Sequence, residues 1–254
     1  MLLLSMCFVA NQGMTTEKQV ASQPLTVAVA SNFYAPLKSL LAKASVSETF
    51  ETKLVVGSSG ALFAQAIHGA PFDIFLGADK ARPSRLAETL ATHHRPFTYA
   101  YGHLVIYPAD DDIQPSVLNQ ARRVAIANPK LAPYGQAALH FIEAQKINMP
   151  IRVFGNNVSQ VFQFADTGNV DFAITAESLL IQAYNLSQDN KYKRYFRLPD
   201  NAYPVIEQQG LILVSIEDKE KLREAERLVQ FLLSDKAQMF FSTQGYRRVE
   251  NSHE

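Results

Sequence analysis

Four short turns rich in serine, asparagine, glycine and proline carry the groups that could do chemistry in this sequence. Each turn follows a predicted strand and opens a predicted helix, where backbone N–H groups have no partner inside the helix. Hydroxyl and N–H donors at the positive end of helix dipoles bind anions without a formal cation. We therefore predict a site for a small oxyanion, built from the turns Ser31-Asn32, Gly57-Ser58-Ser59-Gly60, Asn128 to Gly135 and Gly155-Asn156-Asn157-Val158.

Helix capping is the simplest alternative explanation for these turns. Serine, asparagine and proline are common at helix starts, so capping alone explains any single turn of this kind. Four turns with the same chemistry, two in each half of the chain, favour a shared ligand. The anion site is the main prediction and capping is the alternative.

Ser59 also permits an enzyme hypothesis, in which it is the nucleophile of a serine hydrolase. A nucleophile elbow requires Gly-x-Ser-x-Gly on a strand-to-helix turn, and here the last position is Ala61. An activated serine also needs a histidine held by a carboxylate, and none of the six histidines stands in a recognisable triad motif. A serine that donates to a bound oxyanion explains the turn with fewer assumptions, so we expect no enzyme.

Residues for metal or cofactor chemistry are sparse. The single cysteine, Cys7, excludes an internal disulfide and a Cys-based metal site, and the adjacent His93 and His94 cannot easily face one ion. Neither a phosphate-binding loop nor a dinucleotide fingerprint is present. Asp73 and Asp171 are interpreted as structural carboxylates that accept hydrogen bonds from neighbouring N–H groups. We expect no cofactor and no metal held directly by side chains.

The charge balance limits the partners. Lys and Arg number 24, as do Asp and Glu, so the formal net charge is zero. Broad nucleic-acid binding and attachment to anionic membranes both need a basic excess. An anion must therefore be held by local geometry, and we expect no nucleic-acid partner.

The order of strands and helices predicts how the turns are positioned. Apolar strand patterns alternate with amphipathic helices, which implies βαβ units with mainly parallel strands. A longer strand pattern covers residues 99–107. The other predicted strands cover residues 25–30, 53–56, 72–77, 123–127, 151–154, 170–175 and 210–215.

A faint internal repeat divides this α/β pattern into two similar lobes. Four residues recur at one constant offset, and the same offset superimposes strand on strand and turn on turn. We assign residues 25–103 and 205–254 to lobe 1 and residues 104–204 to lobe 2, joined by a hinge that crosses near 101–104 and 203–206. The repeated residues are Gly57, Gln65, Asp73 and Ala78, which recur as Gly155, Gln163, Asp171 and Ala176.

Residues 1–24 are predicted to be a signal peptide, with a disordered leader as the alternative. Residues 1–10 form an apolar run that is too short to cross a bilayer but fits the apolar part of a signal peptide. Cleavage between Ala10 and Gln23 would leave a chain that begins near Leu25. We expect a periplasmic protein, and lipid attachment through Cys7 remains open.

The turns and their neighbouring segments resemble the periplasmic molybdate-binding proteins of ABC importers. The resemblance extends over most of residues 25–246, and its specific segments are Gly-Ala-Pro-Phe-Asp at 69–73 and Ala-Pro-Tyr-Gly at 132–135. It implies a type II periplasmic binding protein fold, in which two similar α/β lobes with mainly parallel sheets are joined by a two-crossing hinge. It also implies a tetrahedral oxyanion ligand, molybdate or tungstate, with sulfate as the alternative.

The resemblance further implies which residues hold the ligand. Serine hydroxyls and main-chain N–H groups from both lobes surround the oxyanion in that family, and Tyr134 would contribute only its main chain. Some members add a tyrosine phenol after the later strand, but here that position lies near Ala176. The expected partner is a membrane-embedded ABC permease, and the protein is expected to be a monomer. The implied ligand contacts are Ser31, Asn32, Ser59, Tyr134 and Val158.

Overall fold

The computed structural model describes residues 24–44, 50–110, 113–148 and 152–249. The predicted leader lies outside these ranges except for its last residue, and so does Cys7. No helix in the described ranges combines the length and the apolar composition needed to span a membrane.

The described ranges contain eleven strands and eight α-helices. The strands are β1 (Leu25–Ala30), β2 (Thr52–Gly57), β3 (Ile74–Leu76), β4 (Phe97–Gly102), β5 (Leu104–Tyr107), β6 (Val124–Ala127), β7 (Arg152–Gly155), β8 (Phe172–Ala176), β9 (Phe196–Arg197), β10 (Ile206–Ile212) and β11 (Tyr246–Arg247). The helices are α1 (Ser31–Ala42), α2 (Ser59–Ile67), α3 (Ala81–Thr89), α4 (Pro133–Ala144), α5 (Val158–Asp166), α6 (Glu177–Ser187), α7 (Lys219–Leu233) and α8 (Asp235–Ser242).

The strands form two sheets, and each sheet has a parallel core of three strands. One sheet has the order β11-β4-β10-β3-β1-β2, with β1 parallel to β2 and β3. The other has the order β7-β6-β8-β5-β9, with β6 parallel to β7 and β8. The remaining pairs are antiparallel, so both sheets are mixed. This confirms the α/β fold class and adds antiparallel strands to the predicted parallel ones.

We call the first sheet with α1, α2, α3, α7 and α8 the six-stranded unit, and the second with α4, α5 and α6 the five-stranded unit. The chain passes from one unit to the other at His103, the single residue between β4 and β5. The pattern predicted as one strand over residues 99–107 is therefore two strands in different sheets. The return passage lies between β9 and β10, close to the predicted crossing.

The two repeated aspartates have the structural role that their positions suggested. The Asp73 carboxylate accepts a hydrogen bond from Thr26 N–H at 2.7 Å. The Asp171 carboxylate accepts from the N–H groups of Arg122 and Arg123, at 2.6 and 2.9 Å. Each aspartate thus ties the chain that leads into β3 or β8 to the start of the central strand, β1 or β6. This confirms the structural interpretation of both residues.

Each unit has its own apolar core, built from the faces that the helices turn toward the sheets. On α1, Phe33 and Leu37 are fully buried against β1, and on α7 the buried face includes Leu228 and Leu232. The five-stranded unit is packed around β5, β6 and β8, whose strands are almost entirely buried. These cores fix the strand ends, and the strand ends fix the positions of the turns.

Candidate anion-binding site

Four helices begin on one small cavity. Strands β1 and β2 of the six-stranded unit lead into α1 and α2, and strands β6 and β7 of the five-stranded unit lead into α4 and α5. The cavity encloses about 200 Å³ including its opening, and helix N-termini from both units border it. Its lining residues are Ala30, Ser31, Asn32, Gly57, Ser58, Ser59, Ala78, Ala132, Pro133, Tyr134, Asn157 and Val158.

All five sequence-predicted contacts line this cavity. Ser31, Ser59 and Val158 are the first residues of α1, α2 and α5, and Asn32 and Tyr134 are the second residues of α1 and α4. Main-chain N–H groups at such positions have no acceptor within their own helix. The cavity is therefore surrounded by N–H donors from two helices of each unit.

Capping does not account for the predicted contacts. Where a side chain caps one of these helices, the capping residue is Ser58 for α2, which accepts from Ala61 N–H, and Asn157 for α5, which accepts from Gln160 N–H. Helices α1 and α4 begin after alanines that cannot cap. The hydroxyls of the helix-initial serines are therefore left for another use.

The Ser59 hydroxyl is positioned so that its proton is available for a hydrogen bond to a ligand. Ser59 is 1% exposed, and its Oγ accepts a hydrogen bond from Ala78 N–H at 2.8 Å. A hydroxyl that accepts from an N–H keeps its own proton for another acceptor, and Ser59 borders the cavity. Its partner in the described chain is a main-chain amide and not a histidine, which removes the geometric basis for the hydrolase hypothesis.

The side chains of Asn32 and Tyr134 have a different role from their main chains. Asn32 Nδ2 lies 2.9 Å from Gln208 Oε1, and the Tyr134 hydroxyl accepts from Gln208 Nε2 at 3.3 Å. Both side chains are almost fully buried. Their amide and phenol groups are engaged in this internal network, so the groups they offer to the cavity are backbone N–H groups.

The cavity carries no formal charge. Among its lining residues none is Lys, Arg, Asp, Glu or His, and its sole titratable group is the Tyr134 phenol. Burial raises the pKa of that phenol well above its ordinary value, so it stays neutral. No cluster of acidic, histidine or cysteine side chains suited to a metal ion occurs in the described part of the chain. An anion in this cavity would be held by neutral donors and helix dipoles.

The two units meet at the rim of the cavity. Gly60 N–H donates to Leu131 O at 2.8 Å, which joins α2 to the turn before α4. On another side, Ser159 Oγ donates to Ser31 O at 3.3 Å, which joins α5 to α1. Donors from both units therefore face each other across a short distance.

The sequence did not identify every residue that shapes the site. Ala78 orients Ser59 through its N–H, yet an alanine gives no chemical signal. Gln208 contacts two site residues from a distant strand, and it lies before the strand predicted at 210–215, so no sequence pattern singled it out. Ala176, where some similar proteins are expected to carry a tyrosine, is fully buried at the end of β8 and does not line the cavity.

Two α/β units that surround a small, uncharged, donor-lined cavity define the class of two-lobed solute-binding proteins with the type II periplasmic fold. A family model described as bacterial extracellular solute-binding protein matches residues 25–247. The chain therefore belongs to the bacterial extracellular solute-binding protein family, whose members bind solutes and are not enzymes.

Individual relatives of the chain include molybdate-binding proteins. The chain is 33% identical to the molybdate-binding protein ModA of Azotobacter vinelandii over 87% of this chain and 88% of that one. It is 34% identical to the ModA protein of Rhodobacter capsulatus over 76% and 77% of the two chains. The solved structure of the periplasmic molybdate-binding protein of Azotobacter vinelandii superimposes with a TM-score of 0.74 at 26% identity, covering 89% of this chain and all of that one.

Proposed function

We propose that this protein captures molybdate, and its close analogue tungstate, in the cavity between the two units. The main observation that supports this proposal is that four helix N-termini, two from each unit, converge on an uncharged cavity bordered by Ser31 and Ser59. In this proposal the two serine hydroxyls and the N–H groups of Asn32, Tyr134 and Val158 donate to the oxyanion. The names of the relatives support molybdate as the ligand.

The chemistry of the cavity suits a fully deprotonated tetrahedral dianion. Such an ion presents acceptors in every direction, and the lining offers hydroxyl and N–H donors from opposite sides. Charge-assisted hydrogen bonds to neutral donors are stronger than neutral ones, and no side-chain cation is needed to balance them. An ion that carries its own proton would find no carboxylate to receive it.

The proposal also assigns the biological setting. The two units act as the lobes, divided near 103/104 and 204/205, and they close over the ion. After removal of residues 1–24 the protein works as a monomer in the periplasm and delivers the ion to a membrane-embedded ABC permease. The extracellular character of the family supports export, and the zero net charge agrees with a carrier that binds neither nucleic acid nor anionic membranes.

Calorimetric titration tests the ligand directly. The purified protein is titrated with molybdate, tungstate, sulfate and phosphate at equal ionic strength. Saturable one-to-one binding of molybdate and tungstate, with much weaker sulfate and phosphate binding, is the expected result. Sulfate binding as tight as molybdate binding would reassign the ligand, and failure of all four anions to bind would refute the oxyanion proposal.

A further inference from the structure

Next to the proposed anion site lies a buried cluster of polar side chains that are hydrogen-bonded to one another. We call it the Gln208 cluster. It joins three strands and one helix of the six-stranded unit to α4 of the five-stranded unit, and every member is at most 3% exposed. Its members are Asn32, Tyr99, Tyr134, Gln208 and Tyr246.

Gln208 is the centre of this cluster. Its Oε1 accepts from Asn32 Nδ2 at 2.9 Å and from the Tyr99 hydroxyl at 3.2 Å. Its Nε2 donates to the Tyr134 hydroxyl at 3.3 Å. One side chain thus contacts Asn32 and Tyr134, whose main chains border the cavity on opposite sides.

The Tyr134 phenol crosses from one unit into the other. Tyr134 is the second residue of α4 in the five-stranded unit, but its hydroxyl lies against Gly102 at the end of β4, beside Gln208. A Cβ atom on Gly102 would overlap that hydroxyl, so glycine leaves the space that the phenol occupies. Burial raises the pKa values of the Tyr99, Tyr134 and Tyr246 phenols, so the cluster stays uncharged.

Asn32 is tied to the cluster through its carbonyl as well as its amide. In a regular helix the Asn32 carbonyl would accept from the N–H of residue 36, but residue 36 is proline and has no N–H. The freed carbonyl accepts instead from the Tyr246 hydroxyl at 2.8 Å and from Ser178 Oγ at 3.2 Å. Ser178 belongs to α6, so this contact also joins the two units.

We propose that Gln208 is a positioning residue of the anion site, which holds Asn32 and Tyr134 together and thereby stabilises the closed arrangement of the two units. This inference rests on the proposed function for its role in ligand retention. Because contacts of this cluster join the two units directly, they should stabilise the closed arrangement in addition to any contacts that the ligand makes. A protein whose binding-competent form is more populated binds its ligand with higher apparent affinity.

Removal of the cluster's contacts is expected to accelerate ligand release more than it slows ligand capture. Gln208→Met keeps the side-chain length and removes both polar atoms, and Tyr134→Phe removes one hydroxyl while the ring stays. From the usual strength of single hydrogen bonds, each variant should raise the molybdate dissociation rate about two- to tenfold. The effect of the double variant should be smaller than the sum of the two single effects, because both variants remove the contact between Gln208 and Tyr134.

Gln238→Met is the matched control. Gln238 is also 1% exposed, and its side chain binds Tyr99 O, Leu232 O and Val249 N–H, all within the six-stranded unit. Its loss should lower the melting temperature without changing the dissociation rate. If Gln208→Met behaved like Gln238→Met, Gln208 would be a merely structural residue and the inference would be wrong.

A measurement without ligand separates this inference from the proposed function. Small-angle scattering of the ligand-free proteins should give a larger radius of gyration for Gln208→Met and Tyr134→Phe than for the wild type and Gln238→Met. Equal radii would overturn the positioning role whatever anion the protein binds. Conversely, failure of the wild type to bind molybdate would refute the proposed ligand and leave the scattering result to decide the role of Gln208. If Gln208→Met does not fold, Tyr134→Phe gives the same comparison with a smaller change.

Discussion

The amide nitrogen of Gly60 lies 2.8 Å from the carbonyl oxygen of Leu131, across the boundary between the two units. No side chain separates these backbones, because a Cβ atom on Gly60 would lie 2.7 Å from the Leu131 oxygen and 3.0 Å from its Cα. The bare glycine at the second position of α2 thus lets the five-stranded unit approach the cavity.

Gly60→Ala should hold the units apart and weaken ligand binding. Alanine is a better helix former than glycine, so α2 itself should not be destabilised and the loss should appear in ligand affinity. We expect an affinity loss of about tenfold or more by calorimetry, because the closed arrangement must shift to admit the methyl group. Gln65→Ala, an exposed change on the same helix, is the control. Unchanged affinity in Gly60→Ala would show that closure does not need this contact.

The adjacent serines of the second turn should separate affinity from stability. Ser59→Ala removes a proposed charge-assisted donor worth roughly 1.5–3 kcal/mol, so molybdate affinity should fall about tenfold or more. Ser58→Ala removes the cap of α2, worth about 1 kcal/mol, and should lower the melting temperature by about 2–4 °C with less effect on affinity. Affinity that survives Ser59→Ala, measured by calorimetry, would exclude Ser59 from the site.

The cavity should bind phosphate weakly because this ion carries a proton. Hydrogen phosphate keeps one O–H near neutral pH, and no carboxylate lines the cavity to accept it. A buried unpaired donor costs a few kcal/mol, which corresponds to about a hundredfold or more in affinity. Competition between molybdate and phosphate measures this directly. Phosphate affinity close to that of molybdate would reveal an acceptor that the described lining does not contain.

Molybdate binding should both stabilise the protein and make it more compact. An anion that binds the folded form alone adds about 2.7 kcal/mol at a concentration one hundred times its dissociation constant. The melting temperature should therefore rise with molybdate concentration, and the radius of gyration should fall at saturation. A rise in melting temperature without any compaction would mean that the ion binds without closure of the units.

The crossing residue His103 should make stability depend on pH. Burial lowers the pKa of His103 below 6.5, and the nearby Arg197 guanidinium lowers it further, while Asp200 at 3.1 Å partly opposes the shift. Between the lowered folded-state pKa and pH 6.5 the unfolded chain binds more protons, so this contribution to stability is complete above pH 6.5 and is lost as the pH falls from 6.5 through the lower folded-state pKa. The melting temperature of His103→Gln should change less between pH 7.5 and 5.5 than that of the wild type. The melting temperature of His140→Gln, a change at an exposed residue, should follow that of the wild type.

Sequence patterns predicted the elements that carry strong apolar periodicity and missed those that do not. Strand β1 and the turns at Ser31, Ser59 and Val158 were placed well because buried strands and helix starts have local signatures. Helix α3 buries just Pro83 and Leu86, and α6 buries mainly its first residues, so neither shows a clear apolar face.

Long-range contacts were beyond the sequence. The division of residues 99–107 between two sheets depends on pairing with β8 and β10, which no local pattern reveals. The contact between Asn32 and Gln208 joins residues 176 positions apart, so the sequence indicated a main-chain role for Asn32 and Tyr134 but not the work of their side chains. The main-chain role predicted for Tyr134 is thus supplemented by a hydrogen bond between its phenol and Gln208.

The position of β10 in the six-stranded sheet also determines when that sheet can be completed during synthesis of the chain. β10 lies between β3 and β4, but the ribosome makes it only after the whole five-stranded unit. Until residue 212 is available, β3 and β4 have no strand to join them and their edges keep unpaired backbone groups. The six-stranded sheet can therefore be completed only after the whole five-stranded unit has been synthesised.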